Sequence, residues 1–192
     1  MTDARADQYA CTESLLNITP DAAVVSNLGV ASYVLASVSD PERARNFYQW
    51  GSMGVTTAVG LGLALSTDEP VTVLDGDGSL LMSLGVLSTV ARYDPDNLTI
   101  VVWANDVYGT TGGQSLQASH TDFAGIAENS GLDAITVGRP TRSRTPTGAP
   151  PSPRASPSLS ATSTPSIPTH GQHLTSRTSP GVPAIHSRPI HE

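Results

Sequence analysis

The sequence predicts an α/β fold built on a parallel sheet flanked by helices. Residues 71–75 (VTVLD) and 98–104 (LTIVVWA) are almost wholly apolar and rich in β-branched side chains, as strands buried on both faces are. Between them, residues 79–92 place Leu80, Leu84, Leu87 and Ala91 on one helical stripe. Buried strands that alternate with helices pair in parallel through right-handed crossovers.

Each element follows in order. Cys11 falls in a first helix and is expected to be a small buried apolar residue. Residues 22–26 (AAVVS) form a short strand. Residues 52–65 (SMGVTTAVGLGLAL) are apolar and small, which suits a helix packed closely on both sides. Pro70 opens the strand 71–75, which runs into the turn Gly76-Asp77-Gly78. The helix 79–92 ends at the breaker Tyr93-Asp94-Pro95-Asp96-Asn97. After the strand 98–104 comes a glycine-rich loop, 105–121. A helix over 123–130 stops at Gly131, and residues 134–138 (AITVG) form a third apolar strand.

Composition divides the chain at Gly138. Residues 139–192 hold 11 of the 15 prolines and six of the ten basic residues, with 10 serines, 8 threonines and no aromatic residue. So little apolar surface and so many prolines cannot offset chain entropy, so this tail is expected to be disordered. The domain proper is residues 1–138. The chain contains no lysine, and its net charge is −7, which opposes binding to nucleic acid or an anionic membrane. One cysteine excludes a disulfide framework and a cluster of thiolate ligands. The N-terminus lacks the apolar stretch of a signal peptide, and no segment reaches bilayer-spanning length, so a cytoplasmic location is expected.

Ligands of parallel sheets bind beyond the C-terminal strand ends. Two strands here end in polar residues: the first in Gly76, Asp77, Gly78 and Ser79, the second in Asn105 and Asp106. Two glycines admit close backbone approach, and the N–H groups of a following helix suit an anion. Asp77 alone would repel a phosphate. A Mg²⁺ ion between them resolves the conflict, with the Asn105 amide oxygen and a backbone carbonyl as further oxygen ligands. Alone, Gly-Asp-Gly is most often only a strand-to-helix turn. The Gly-x-G pairs lack the third glycine of a dinucleotide fingerprint, and a P-loop is excluded by the absence of lysine.

Gly-Asp-Gly followed 27 to 28 residues later by Asn105 resembles the signature of thiamine-diphosphate enzymes. Residues 25–29 (VSNLG), 45–65 (RNFYQWGSMGVTTAVGLGLAL) and 105–114 (NDVYGTTGGQ) extend that resemblance. They are similar to thiamine-diphosphate-dependent 2-oxo-acid decarboxylases of the sulfopyruvate and phosphonopyruvate kind. The likeness covers roughly residues 20–138. It implies a parallel α/β domain that binds the diphosphate end of thiamine diphosphate.

The resemblance also assigns roles. Asp77, the Asn105 side chain and the Val107 carbonyl would hold Mg²⁺. Gly78 and Ser79 would hold the diphosphate, with Gly76 and Ser52 beside the cofactor. The Gly51 carbonyl would accept from the 4′-amino group of the pyrimidine, and Met53 would bend the cofactor. Tyr108, Gly109 and Gln114 lie on a loop that would close over the site. The implied reaction converts a small 2-oxo acid to an aldehyde and CO₂. Such enzymes need a glutamate against the pyrimidine, so a pyrimidine-binding α-type subunit is the implied partner. The alternatives are a subunit of another thiamine-diphosphate enzyme (a carboligase or oxidoreductase) and an inactive truncated remnant. Residues 115–118 depart from the Thr-His-Thr stretch of the sulfopyruvate relatives, so the resemblance does not fix the acid. Trp50 and Trp103 are expected to pack, and no role is read for His120.

The vocabulary of the tail is that of GC-rich coding sequence read out of frame. A frameshift after residue 138 is therefore expected, leaving the domain incomplete at its C-terminus.

Overall fold

The computed structural model describes residues 7–137 and 182–186. In chain order the elements are α1 (Gln8–Ile18), β1 (Ala23–Ser26), α2 (Val30–Val38), β2 (Asn46–Tyr48), α3 (Thr56–Ala64) and β3 (Val71–Gly76). Then come α4 (Asp77–Leu81), α5 (Val86–Tyr93), β4 (Leu98–Trp103), the short strands β5 (Val107–Tyr108) and β6 (Gln114–Ser115), α6 (Phe123–Asn129), β7 (Asp133–Val137) and β8 (Val182–His186). A single 3₁₀ turn, Gln117–His120, precedes α6.

The main sheet has the order β2-β1-β3-β4-β8-β7. Its first four strands are parallel throughout, with Val73 paired to Val25 on one side and to Ile100 on the other. The strands are apolar on both faces because each face meets its own helical layer. Val73, Ile100 and Val102 point into one core with Leu61, Leu80 and Leu87. Their neighbours Leu74, Val101 and Trp103 point into the other, with Leu15, Leu16 and Leu35. Alternation along each strand thus divides one apolar run between two cores. Cys11 is buried in the second, as expected.

The predicted strands 22–26, 71–75 and 98–104 all form, within a residue at each end. The helix expected over 52–65 begins only at Thr56, because Ser52 (φ +62°) and Gly54 (φ +89°) are left-handed. The helix expected over 79–92 is two helices. Met82 and Ser83 bond back only three residues, to Ser79 and Leu80, which breaks the α-helical ladder. The short strand β2 and helix α2 were not anticipated.

The third apolar strand forms as β7, but not against β4. Strand β8 lies between them, antiparallel to both. It comes from within residues 139–192, the stretch expected from composition to be disordered. The rest of that tail, and with it the frameshift, lies outside the described residues.

Candidate functional site

Strands β1, β3 and β4 run the same way, so their C-terminal ends open on one edge. There the chain leaves an open cleft. Of the cofactor-site residues singled out from sequence, all but Gly51, Ser52 and Gln114 line it: Met53, Gly76, Asp77, Gly78, Ser79, Asn105, Val107, Tyr108 and Gly109.

Asp77 stands at the junction of β3 and α4, only 3% exposed. Its Oδ1 accepts from the Gly78 N–H at 2.8 Å and its Oδ2 from the Asp106 N–H at 2.7 Å. One carboxylate thus ties the end of β3 to the loop after β4. Burial pushes the Asp77 carboxyl above its ordinary range, opposed chiefly by the backbone bonds from Asp106 and Gly78. An anionic group stripped of water in this way suits a cation beside it.

Asn105 is exposed, and its Oδ1 accepts from the Val107 N–H at 3.1 Å in a local turn. The chain then forms the β5–β6 hairpin, whose tip turns at Gly112 (φ +125°) and Gly113 (φ +72°). Gln114 belongs to that hairpin and bonds only to Thr111, through both its amide atoms. The hairpin lays Tyr108 over the 76–79 turn. A Cβ on Gly78 would fall 2.9 Å from Tyr108 Cε1 and 3.3 Å from the Leu116 methyls, so only glycine fits there.

The turn 51–54 closes the other side of the cleft. Gln49 Nε2 donates to the Ser52 carbonyl at 3.1 Å, the Ser83 hydroxyl donates to the Gly54 carbonyl, and the Gly54 N–H donates to Ser79 Oγ at 3.0 Å. The Ser79 side chain, part of the cleft lining, thus also meets the Gly54 N–H.

Several lining residues were not singled out from sequence. Asn27, at the end of β1, is buried, and its Oδ1 accepts from the Leu28 N–H at 2.8 Å and from the Thr56 hydroxyl at 3.2 Å. It lay within the quoted VSNLG stretch, and a polar residue closing an apolar strand was the available signal. Trp103 also lines the cleft, and its buried Nε1–H has no partner among the described residues. Trp103 is packed as expected. Trp50 is not: it is 74% exposed and meets Tyr33 edge to face, with ring centroids 6.0 Å apart. His120 is exposed on the 3₁₀ turn.

Residues 25–145 match the family model described as "Thiamine pyrophosphate enzyme, C-terminal TPP binding domain". The match covers more than half of the chain, and the chain belongs to that family. Among curated proteins it is similar to the sulfopyruvate decarboxylase subunit beta of Methanocaldococcus jannaschii, 46% identical over 122 residues, 63% of this chain and 64% of the relative. The Methanothermobacter thermautotrophicus subunit beta is 46% identical over 129 residues, 67% of this chain and 69% of the relative. The phosphonopyruvate decarboxylase of Streptomyces viridochromogenes is 45% identical over 133 residues, 69% of this chain but only 33% of that longer protein. The chain thus spans about two thirds of the subunits beta it matches. An X-ray structure described as a thiamin diphosphate-dependent enzyme from Mycobacterium smegmatis superposes with a TM-score of 0.54 at 26% identity, over 67% of this chain and 26% of that one.

Proposed function

We propose that this chain is the diphosphate-binding subunit of a thiamine-diphosphate-dependent 2-oxo-acid decarboxylase of the sulfopyruvate type. The observation that carries the reading is the buried Asp77 carboxylate, joined to both strand ends, with Asn105 on the adjoining loop.

The donors present fit the cofactor and its metal. The described residues hold no cluster of three or more His, Cys, Asp or Glu, so the site offers one carboxylate, one amide and main-chain carbonyls. Such an all-oxygen set suits Mg²⁺, which keeps its remaining positions for phosphate and water. In this reading Asp77, Asn105 and the Val107 carbonyl hold the ion. Gly78 has room for no side chain beneath Tyr108, which leaves the backbone of the 76–79 turn as the lining of the cleft there.

Bound thiamine diphosphate supplies the sink for the electrons left when CO₂ departs. The protein's share is placement. Asp77 anchors one end of the cofactor. Met53, in the cleft lining, would limit how it can extend, and the Gly51 carbonyl would accept from its amino group. Tyr108 and the hairpin restrict water.

The activating glutamate would come from a pyrimidine-binding α-type partner. The relatives named subunit beta support that, as do the aromatic residues left bare next to the 51–54 turn: Trp50 at 74% exposure, Tyr33 and Phe47. No helix among the described residues is long and apolar enough to cross a membrane. A cytoplasmic location belongs to the same proposal.

The test is co-expression of the full chain with a candidate α-type subunit, Mg²⁺ and thiamine diphosphate, followed by CO₂ release from sulfopyruvate, phosphonopyruvate and pyruvate. Release from sulfopyruvate, absent without the partner, supports the proposal. No release from any of the three, with cofactor bound, contradicts it.

A further inference from the structure

Ser52 holds φ +62°, in the left-handed region. The other described non-glycine residues with positive φ are Asp94 and Asp106, a residue type more at home there than serine. Such a conformation persists only where its surroundings hold it. One holder is in place: Gln49 Nε2 donates to the Ser52 carbonyl at 3.1 Å. Gln49 is 8% exposed, and its own N–H donates to the Ser26 carbonyl at 3.0 Å, just beyond the pairing of Ser26 with Tyr48. The side chain thus reaches the turn from the end of the sheet. Its Oε1 is buried without a partner among the described residues.

A buried acceptor left unpaired costs stability, and an apolar side chain of the same length would avoid that cost. The exchange would not orphan the Ser52 carbonyl, which also accepts from the Val55 N–H at 3.3 Å. Stability therefore gives no account of this glutamine, whereas the direction of its Nε2–H bond does. Rotation about the Ser52 N–Cα bond swings the Gly51 carbonyl relative to Met53, so one dihedral governs both. We propose that Gln49 is a positioning residue: by holding Ser52 at positive φ, it sets where the Gly51 carbonyl and the Met53 side chain stand at the cleft. The proposal rests on the cofactor reading above, in which those two groups meet the pyrimidine end.

The test uses the full chain as wild type, Gln49→Met, Ser52→Gly and the double variant. Amide exchange is read at Gly54, inside the turn, and at Gly78, outside it, together with the urea unfolding midpoint. In Gln49→Met the Gly54 amide should exchange about fivefold faster, the scale of one neutral hydrogen bond. Gly78 should be unchanged, and the midpoint unchanged or raised. Glycine adopts positive φ without strain, so on the Ser52→Gly background the same substitution should change Gly54 by less than about twofold. Calorimetry on wild type and Gln49→Met, with Mg²⁺, supplies a second readout. Affinity for thiamine diphosphate should fall about fivefold, while that for inorganic pyrophosphate, which lacks the pyrimidine, stays within about twofold. An unchanged Gly54 amide overturns the proposal, as does equal acceleration on the glycine background. Acceleration at Gly54 and Gly78 with a lowered midpoint, or equal weakening of both ligands, would mean that Gln49 merely supports the fold, and overturns it too. A wild-type chain that binds neither ligand defeats the cofactor reading and the positioning role with it, and the exchange pattern separates that outcome from an absent hold. Gln49→Leu, which also lacks the donor, takes the place of Gln49→Met if that variant does not fold.

Discussion

Asp77 Oδ2 accepts the Asp106 N–H at 2.7 Å, so the carboxylate that opens α4 also fixes the loop leaving β4. The candidate ligands Asp77 and Asn105 are brought together by this bond and by the pairing of β3 with β4 in parallel register, Gly76 opposite Trp103. The site is therefore a property of two adjacent strand ends rather than of a flexible loop.

Gly60 of α3 lies directly against the sheet. A Cβ there would fall 2.0 Å from Val73 Cγ2. Gly60→Ala is expected to destabilise the domain by about 1–3 kcal/mol, the usual cost of overpacking. Urea unfolding measures it. Adding Val73→Ala should recover part of the loss, and no recovery would show that the contact is not the cause.

Gly78→Ala should act on binding rather than on stability. Its Cβ would meet Tyr108 Cε1 at 2.9 Å and push back the hairpin that covers the cleft. Affinity for Mg²⁺ and thiamine diphosphate should fall about tenfold or more, with little change in the unfolding midpoint, since the ring sits on the short β5–β6 hairpin rather than in the core. Removing the ring as well, in Gly78→Ala with Tyr108→Ala, tests whether that contact is responsible: affinity should then rise again.

Met53→Ala should separate turnover from affinity. Met53 lines the same cleft as Asp77 and carries no charge or oxygen to anchor a ligand. With an active partner, turnover is expected to drop about 10- to 100-fold through loss of placement, while cofactor affinity changes little. Wild-type turnover in that variant would remove Met53 from the account.

The Arg45–Glu69 pair links the segment before β2 to the approach to β3, and Arg45 holds the Glu69 carboxyl below its ordinary value of 4.5. A carboxyl with a lowered folded pKa contributes stability above the unfolded value and loses it as pH falls through the folded one. Both groups are exposed, so the contribution is small. Glu69→Gln should leave the neutral-pH unfolding midpoint nearly unchanged and differ from wild type only by a slightly shallower loss of stability below pH 4.5. A large drop at neutral pH would contradict that reading.

The strands and the strand-end ligands were legible because apolar runs stop abruptly at glycine and polar residues: Gly76, Asp77, Asn105. Asp75 was not, because a carboxylate at the end of an apolar run looks the same whether it meets solvent or, as here, the Thr57 hydroxyl and the Gly76 N–H. Ser83 escaped for a related reason, as it acts on the 51–54 turn from 29 residues further along the chain. The break between α4 and α5 was hidden by a stripe of leucines that satisfies one long helix. Strand β8 had no apolar run to announce it: its proline and its setting among serines and threonines argued for coil, and its pairing with β4 and β7 is a long-range relation that local pattern does not carry.

The central claim is that Asp77 makes this cleft a Mg²⁺-dependent diphosphate site. Calorimetric titration of thiamine diphosphate into the full chain, with Mg²⁺ and with chelator, in wild type, Asn105→Ala and Asp77→Ala, tests it most directly. Wild type should bind only with Mg²⁺. Asn105→Ala should bind more weakly, and Asp77→Ala should lose on the order of 100-fold or more, as when a buried charged partner is removed. Binding by Asp77→Ala with wild-type affinity, or binding by wild type that ignores the chelator, would contradict the account.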